Sequence, residues 1–347
     1  MGTTRRQFIA GACVAGAAAL LPGRRSILPA AQAGESTARP FTFVHLTDMH
    51  VTTRRQGHEG YRKCIASIRA LAPRPDFVLT GGDLAFDGNY TEKAVFIEQI
   101  RLYKEITDSL GIPYYNCMGN HDVLGWSARR KVSLDDPGLG KKQIMHALGW
   151  EKSHYSFDHG GWHFVVLDCI HPVQGKDGPT YEPRIGREQL GWLGRDLGKA
   201  VGKPTVAVTH IAAFCNEGQI TGDPNAKAMD GSMVIWDTKD LRTVLERHQV
   251  KALLQGHSHR AEEYHFNGVW YVTSPAASGA WWAGSWTGSG PGYTVFRCDG
   301  DRLTWEFRSF DWEPRLDPKD DLERKKIAEQ KAAAEQQARL LSLERGG

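Results

Sequence analysis

From residue 41 the chain alternates short apolar runs with longer stretches of helical spacing. Phe41 to Thr47 predicts a strand, and Tyr61, Ile65, Ile68 and Leu71 then recur at helical intervals over about 59–71. Pro73 and Pro75 end that helix, and Asp76 to Thr80 reads as the next strand. Thr91 to Leu110 is a second helix, closed by Gly111-Ile112-Pro113, and Ile112 to Met118 a third strand. This βαβαβ order predicts a layered α/β fold with a largely parallel central sheet.

The pattern is less regular over 123–150. Ser153 to Asp158 and Trp162 to Asp168 then predict a hairpin across His159-Gly160-Gly161. Pro172 to Pro183 reads as a Gly/Pro-rich loop and Glu188 to Lys199 as a helix. A strand over Thr205 to Thr209, a helix near Asp237 to His248 and a strand over Lys251 to Gln255 follow. The runs Glu262 to Phe266, Val269 to Thr273, Gly292 to Arg297 and Leu303 to Phe310 are expected to complete a second sheet facing the first. From Asp320 to Arg345 the chain is charged and Ala/Gln-rich without a sustained heptad, which suits a solvated helical tail.

The first 33 residues form a separate unit. Thr4-Arg5-Arg6-Gln7-Phe8-Ile9 leads into an Ala/Gly-rich segment too short to span a membrane, and Ala31-Gln32-Ala33 is a cleavage signal. The paired arginines resemble a twin-arginine export signal, which implies the twin-arginine translocation machinery as a partner and a periplasmic or secreted product cut near Ala33. The expected division is signal 1–33, linker 34–40, a main domain over 41–312 and tail 313–347. The formal charge of +3 falls to near −1 without Arg5, Arg6, Arg24 and Arg25, so net charge gives no argument for nucleic acid or an anionic membrane. Of 6 cysteines, Cys64, Cys117, Cys169, Cys215 and Cys298 lie beyond the signal; scattered and without a CxxC, they read as core residues.

Five polar stretches each close an apolar, β-rich run: Thr47-Asp48-Met49-His50, Gly81-Gly82-Asp83, Gly119-Asn120-His121-Asp122, Thr209-His210 and Gly256-His257-Ser258-His259. One such stretch is more often a polar turn than a ligand pair. Five in series point to a metal site, because α/β sheets leave a crevice at the carboxyl ends of their strands. Asp48 with His50, and His257 with His259, can each reach one ion from an extended turn. The Asp83 carboxylate can bridge two ions, and Asn120 ligates without adding charge. Two divalent ions, set against Asp48, Asp83 and a bridging hydroxide, leave net positive charge to attract a phosphate oxyanion. His121 then faces the substrate as a charge stabiliser or proton donor, with Asp122 orienting it. The remaining histidines read as core or surface, with His171, in the loop after Leu167-Asp168, the first candidate for an exception as a substrate contact. The tract Trp281-Trp282-Ala283-Gly284-Ser285-Trp286 is expected to pack indoles on the second sheet rather than to stack bases.

The series Asp48-x-His50, Gly82-Asp83, Gly119-Asn120-His121-Asp122, His210, Gly256-His257-x-His259 resembles the calcineurin-like metallophosphoesterase superfamily. The resemblance spans about 41–310, and Gln189-Leu190-Gly191-Trp192-Leu193 resembles a helix common in that family. It implies a four-layer α/β/β/α sandwich, with Asp48, His50, Asp83 and His259 on one ion and Asp83, Asn120, His210 and His257 on the other. It also implies two divalent or mixed-valence ions (manganese, iron or zinc) and hydrolysis of a small phosphoester by a bridging hydroxide. Purple acid phosphatases carry a tyrosine ligand where this chain has Phe86. The spacing looks more similar to the bacterial cyclic-nucleotide phosphodiesterase branch. Phosphodiester hydrolysis is therefore the expectation, with a phosphomonoesterase or a non-catalytic metal- or phosphate-binding protein as alternatives. Substrate choice is expected to lie in 123–150, 170–186 and 211–236.

Overall fold

Strands buried on both faces organise this chain. In the computed structural model, which describes residues 39–216 and 232–320, strand Ser26–Ile27 and positions 325, 328 and 329, consecutive strand residues alternate between two cores. The chain runs β1 (Ser26–Ile27), β2 (Phe41–Leu46), α1 (Gly57–Arg69), β3 (Phe77–Thr80), α2 (Lys93–Asp108), β4 (Tyr114–Tyr115) and α3 (Lys142–Leu148). It continues with β5 (Tyr155–His159), β6 (Trp162–Val166), β7 (Ile170–Gly175), β8 (Gly178–Pro183), α4 (Arg187–Lys199) and β9 (Thr205–Val208). The last elements are α5 (Thr238–Arg247), β10 (Ala252–Gln255), β11 (Glu262–Phe266), β12 (Val269–Thr273), β13 (Gly292–Asp299) and β14 (Arg302–Ser309).

One sheet has the order β1-β14-β13-β2-β3-β4, the other β11-β12-β10-β9-β6-β5, and β7 and β8 form a separate hairpin. β2, β3 and β4 pair in parallel, as do β6, β9, β10 and β12. Phe43, Phe77, Leu79, Phe164, Val206, Leu254 and Phe296 fill the space between the sheets. Phe43 stacks between Phe77 and Phe296 at 5.1 and 4.9 Å, contacts worth about 0.5–1.5 kcal/mol each beyond their buried area. The alternate residues Val44, Leu46 and Val78 share the second core with Tyr61, Ile65 and Ile68 of α1. Val165, Ala207 and Leu253 share it with Leu193, Leu197, Leu241 and Leu245 of α4 and α5. These layers make the expected α/β/β/α sandwich.

Three expectations fail locally. The third strand shortens to two residues, because Pro113 brings no N–H and the Cys117 N–H donates to Thr80 Oγ1 instead of a ladder carbonyl. The Gly/Pro-rich segment 172–183 is hairpin β7–β8, with Val173 opposite Thr180. Proline is tolerated there because a two-stranded ribbon has an open edge. β13 and β14 join the first sheet, where Phe296 pairs with Phe43, and not the second. The signal and tail lie largely outside the described residues. Ser26–Ile27 pairs with Thr304–Trp305 at the edge of β14, so a chain cut near Ala33 loses that strand. Among the described residues no helix is long and apolar enough to cross a membrane, and Cys64, Cys117, Cys169 and Cys298 are buried with free thiols.

Candidate metal centre

The parallel strands of both sheets end at one edge of the sandwich, and the polar stretches sit just beyond those ends. Asp48 and His50 follow β2, Asp83 follows β3, Asn120 follows the segment after β4, His210 follows β9, and His257 and His259 follow β10. The structure brings all seven together. Asp48, His50 and His259 form one group of ligand atoms and Asp83, His210 and His257 a second, each with its atoms within 4.8 Å of one another. Asp83 lies between the groups, its Oδ2 3.1 Å from His210 Nε2 and 3.5 Å from His50 Nε2. Asn120 Oδ1 is 3.0 Å from His210 Nε2.

The local backbone is built for this convergence. Asp48, His50, Asp83, His257 and His259 all have positive φ, between 42° and 68°, a region that non-glycine residues seldom occupy away from functional sites. Two glycines permit the close approach. A Cβ on Gly119 would overlap the Asp83 backbone and carboxylate, and one on Gly256 would overlap Thr47 and Asp48.

The hydrogen bonds fix which nitrogens face inward. Nδ1 of His50, His210 and His259 donates to the carbonyls of Phe86, Gly81 and Gly279 at 3.2, 2.8 and 2.5 Å. A neutral ring that donates from Nδ1 has only a lone pair at Nε2. His50 Nε2 and His259 Nε2 nevertheless lie 3.1 Å apart. Lone pairs gathered at that distance are repulsive unless a cation lies among them. The donor set therefore fits metal ions, with backbone carbonyls orienting the imidazoles. Burial holds His50 down at about 3 and His257 at about 4, so both stay neutral and able to ligate. Burial opposes charge on His210 too, but Asp83 and Asp48 outweigh it and lift it to about 10. Burial also disfavours the ionised Asp83, yet the neighbouring imidazoles hold it well below the carboxylate range.

His121 and Asp122 part company. The Asp122 carboxylate accepts the backbone N–H groups of Leu84 and Ala85 at 2.9 and 3.0 Å and of Gly119 at 2.8 Å, bracing two ligand loops together. Burial, with Asp83 nearby, pushes it up to about 7. It is not the partner of His121, contrary to expectation, because the short 3-10 turn Asn120–Asp122 points successive side chains apart. The partner is Asp87, whose Oδ1 is 3.5 Å from His121 Nδ1, an ion-pair distance. Asp87 is itself fixed by the N–H groups of Asn89 and Tyr90. Burial works against charge on His121, but Asp83 and Asp87 raise it above its ordinary value. The signal missed in the sequence was a carboxylate four residues beyond Asp83.

Beside His121 and Asn120 opens a cavity of 420 Å³, lined by Asn89, Tyr90, Trp126, Tyr181 and Trp236 among others. The three irregular segments therefore meet there. His171 is not among the lining residues; it lies on β7 with its ring against Gly186. The tryptophan tract also departs from expectation. Trp282 is buried against Gly57 and Gly60 of α1, on the first-sheet side, and Trp281 stands beside His259.

Comparison with known proteins agrees with this geometry. Residues 41–261 match the calcineurin-like phosphoesterase family. A probable cyclic nucleotide phosphodiesterase of Xenorhabdus bovienii is 23% identical over 70% of this chain and 88% of its own length. A 3',5'-cyclic-nucleotide phosphodiesterase of Nostoc is 25% identical over 68% of this chain and 78% of its own. Among solved structures, a dimetal phosphatase from Danio rerio superposes with a TM-score of 0.53 at 16% identity, covering 80% of this chain and 97% of that one. The chain belongs to the calcineurin-like phosphoesterase family and is a phosphoric ester hydrolase.

Proposed function

We propose that this phosphoesterase is an exported enzyme that hydrolyses phosphodiesters at a dinuclear metal centre. The observation that carries the reading is the single Asp83 carboxylate, a member of one candidate ligand group whose Oδ2 also lies 3.5 Å from His50 of the other. Asp48, His50, Asp83 and His259 would hold one ion, and Asp83, Asn120, His210 and His257 the other. Manganese, iron or zinc held there would supply Lewis acidity toward phosphoryl oxygens and lower the pKa of an attacking water. The chain's own groups do the rest. His121, with Asp87 at an ion-pair distance, would give a proton to the leaving oxygen. Asp87 holds the imidazole in place, and Asp122 keeps the Asp83 and Asn120 loops in register. The names of the bacterial relatives support a diester over a monoester, and the motif Arg5-Arg6 with Ala31-Gln32-Ala33 supports twin-arginine export.

The test is steady-state hydrolysis of bis(4-nitrophenyl) phosphate and 4-nitrophenyl phosphate by metal-stripped protein reloaded with manganese, iron or zinc. Metal-dependent turnover that favours the diester is expected. Preference for the monoester would replace the phosphodiesterase reading with a phosphatase one, and no turnover with two bound ions would leave a binding protein. Export is read separately: Arg5→Lys with Arg6→Lys should hold the uncut chain in the cytoplasm.

A further inference from the structure

Packing alone does not account for Trp281. Its ring lies 4.4 Å from that of His259 and 5.7 Å from that of His50, with Trp286 edge-on at 5.2 Å. It stays partly exposed, whereas Trp282 is wholly buried. Both residues have left-handed backbone, with φ of 49° and 68°. For two consecutive bulky aromatics that conformation is costly and persists only where the surroundings impose it.

Three segments impose it here. Trp282 Nε1 donates to the His50 carbonyl at 3.0 Å, and its ring packs edge-on against Trp312. Arg55 donates to the Trp281 carbonyl at 3.0 Å. Asp320 in turn grips that guanidinium with both oxygens, at 2.8 and 2.7 Å. The outcome is one indole in the core and one displayed at the first ligand group. Near the second group, the cavity beside Asn120 carries its own aromatics, Tyr90, Trp126, Tyr181 and Trp236. The centre therefore has an aromatic wall on each flank.

We propose that Trp281, backed by Trp286, is a stacking subsite for a planar aromatic ester group, a nucleobase or an aryl ring, so that the enzyme selects phosphodiesters with such an arm over aliphatic ones. This rests on the phosphodiesterase reading above. Stacking of a base on an aromatic side chain changes affinity by about five- to a hundredfold, enough to set a preference without any directional contact to the ring.

The test measures binding of phenylphosphonate and methylphosphonate to the manganese-loaded full chain by calorimetry, with metal content checked in each sample. Wild type should bind the phenyl compound about tenfold more tightly, and Trp281→Phe should keep most of that ratio. Trp281→Leu, which keeps bulk without a π face, should bring the ratio near unity while methylphosphonate binds as before. If the leucine variant does not fold, Trp281→Met reads the same ratio. No phenyl preference in wild type, or a ratio unchanged by leucine, overturns the proposal. Equal weakening of both ligands together with metal loss would also overturn it, since Trp281 would then only shield the metal-binding histidines. Turnover of bis(4-nitrophenyl) phosphate by the same samples separates the two readings. A Trp281-dependent ratio without diester turnover sinks the phosphodiesterase reading and leaves the subsite; turnover with a Trp281-independent ratio does the reverse.

Discussion

If Asp83 serves both ion sites, replacing it by asparagine should abolish most of the stabilisation that metal confers on the fold. A ligand that binds only the native state stabilises by RT ln(1 + [L]/Kd), about 2.7 kcal/mol per site at a hundred times Kd. Two sites that share Asp83 give roughly 5 kcal/mol. For a domain of this size each kcal/mol is worth about 2 °C, so manganese should raise Tm by about 10 °C. Asparagine keeps one oxygen, which can still accept from the His121 N–H that reaches Asp83 Oδ1 at 2.8 Å. It brings no negative charge to the position between His50 and His210. The assay is calorimetric unfolding with and without metal, scored as the rise within each variant so that effects on the metal-free fold cancel. Asp83→Asn should retain less than half the rise. A variant rise equal to that of wild type would show that Asp83 bridges nothing, and no rise with manganese, zinc or iron would remove the dinuclear centre altogether.

Two neighbouring carboxylates should separate by assay. Asp122→Ala orphans three buried backbone N–H groups, each costing about 1–3 kcal/mol, so it should lower the urea midpoint sharply. Asp87→Asn should leave that midpoint near wild type and lower kcat about tenfold through a misplaced His121, a fraction of the 10²–10⁴ that a general acid contributes; a mild Asp122→Ala beside a destabilised Asp87→Asn would reverse the two roles. The third prediction concerns acid stability. Asp320 is held at about 2, chiefly by its hydrogen bonds to Arg55, against burial that favours the neutral acid. Its folded value is depressed, so its contribution is complete above the unfolded value of 3.8 and fades as pH falls toward 2. Linkage puts the loss at about 1 kcal/mol between pH 5 and pH 3, and unfolding of Asp320→Asn across that range should lack this component.

What the sequence disclosed follows from where the chemistry sits. The seven candidate ligands were legible because each ends an apolar run, and strand ends at one sheet edge converge whatever the loops do. The alternation that fills two cores was equally plain in Phe43 beside Val44 and Phe77 beside Val78. Sheet membership was not legible. β13 pairs with β2 across about 250 residues of chain, and no local pattern states that Phe296 will stack on Phe43. The same limit hid the strand in 172–183, where glycine and proline outweighed Val173, Thr180 and Tyr181 until a partner strand was present.

The His121 partner was misread for a geometric reason that extends to the whole centre. Adjacent residues are tempting pairs on paper, yet a 3-10 turn sends His121 toward the cleft and Asp122 into the backbone of the next loop. Partners in such a site come from other strand ends instead: His50 is oriented by Phe86, His210 by Gly81, His259 by Gly279 and His121 by Asp87. Three of these four acceptors, Gly81, Phe86 and Asp87, flank Asp83, so one loop aims rings carried by three others. Five of the candidate ligand positions hold left-handed backbone, and relaxing the Asp83 loop would cost its neighbours polar contacts, so the strain is locked collectively rather than residue by residue.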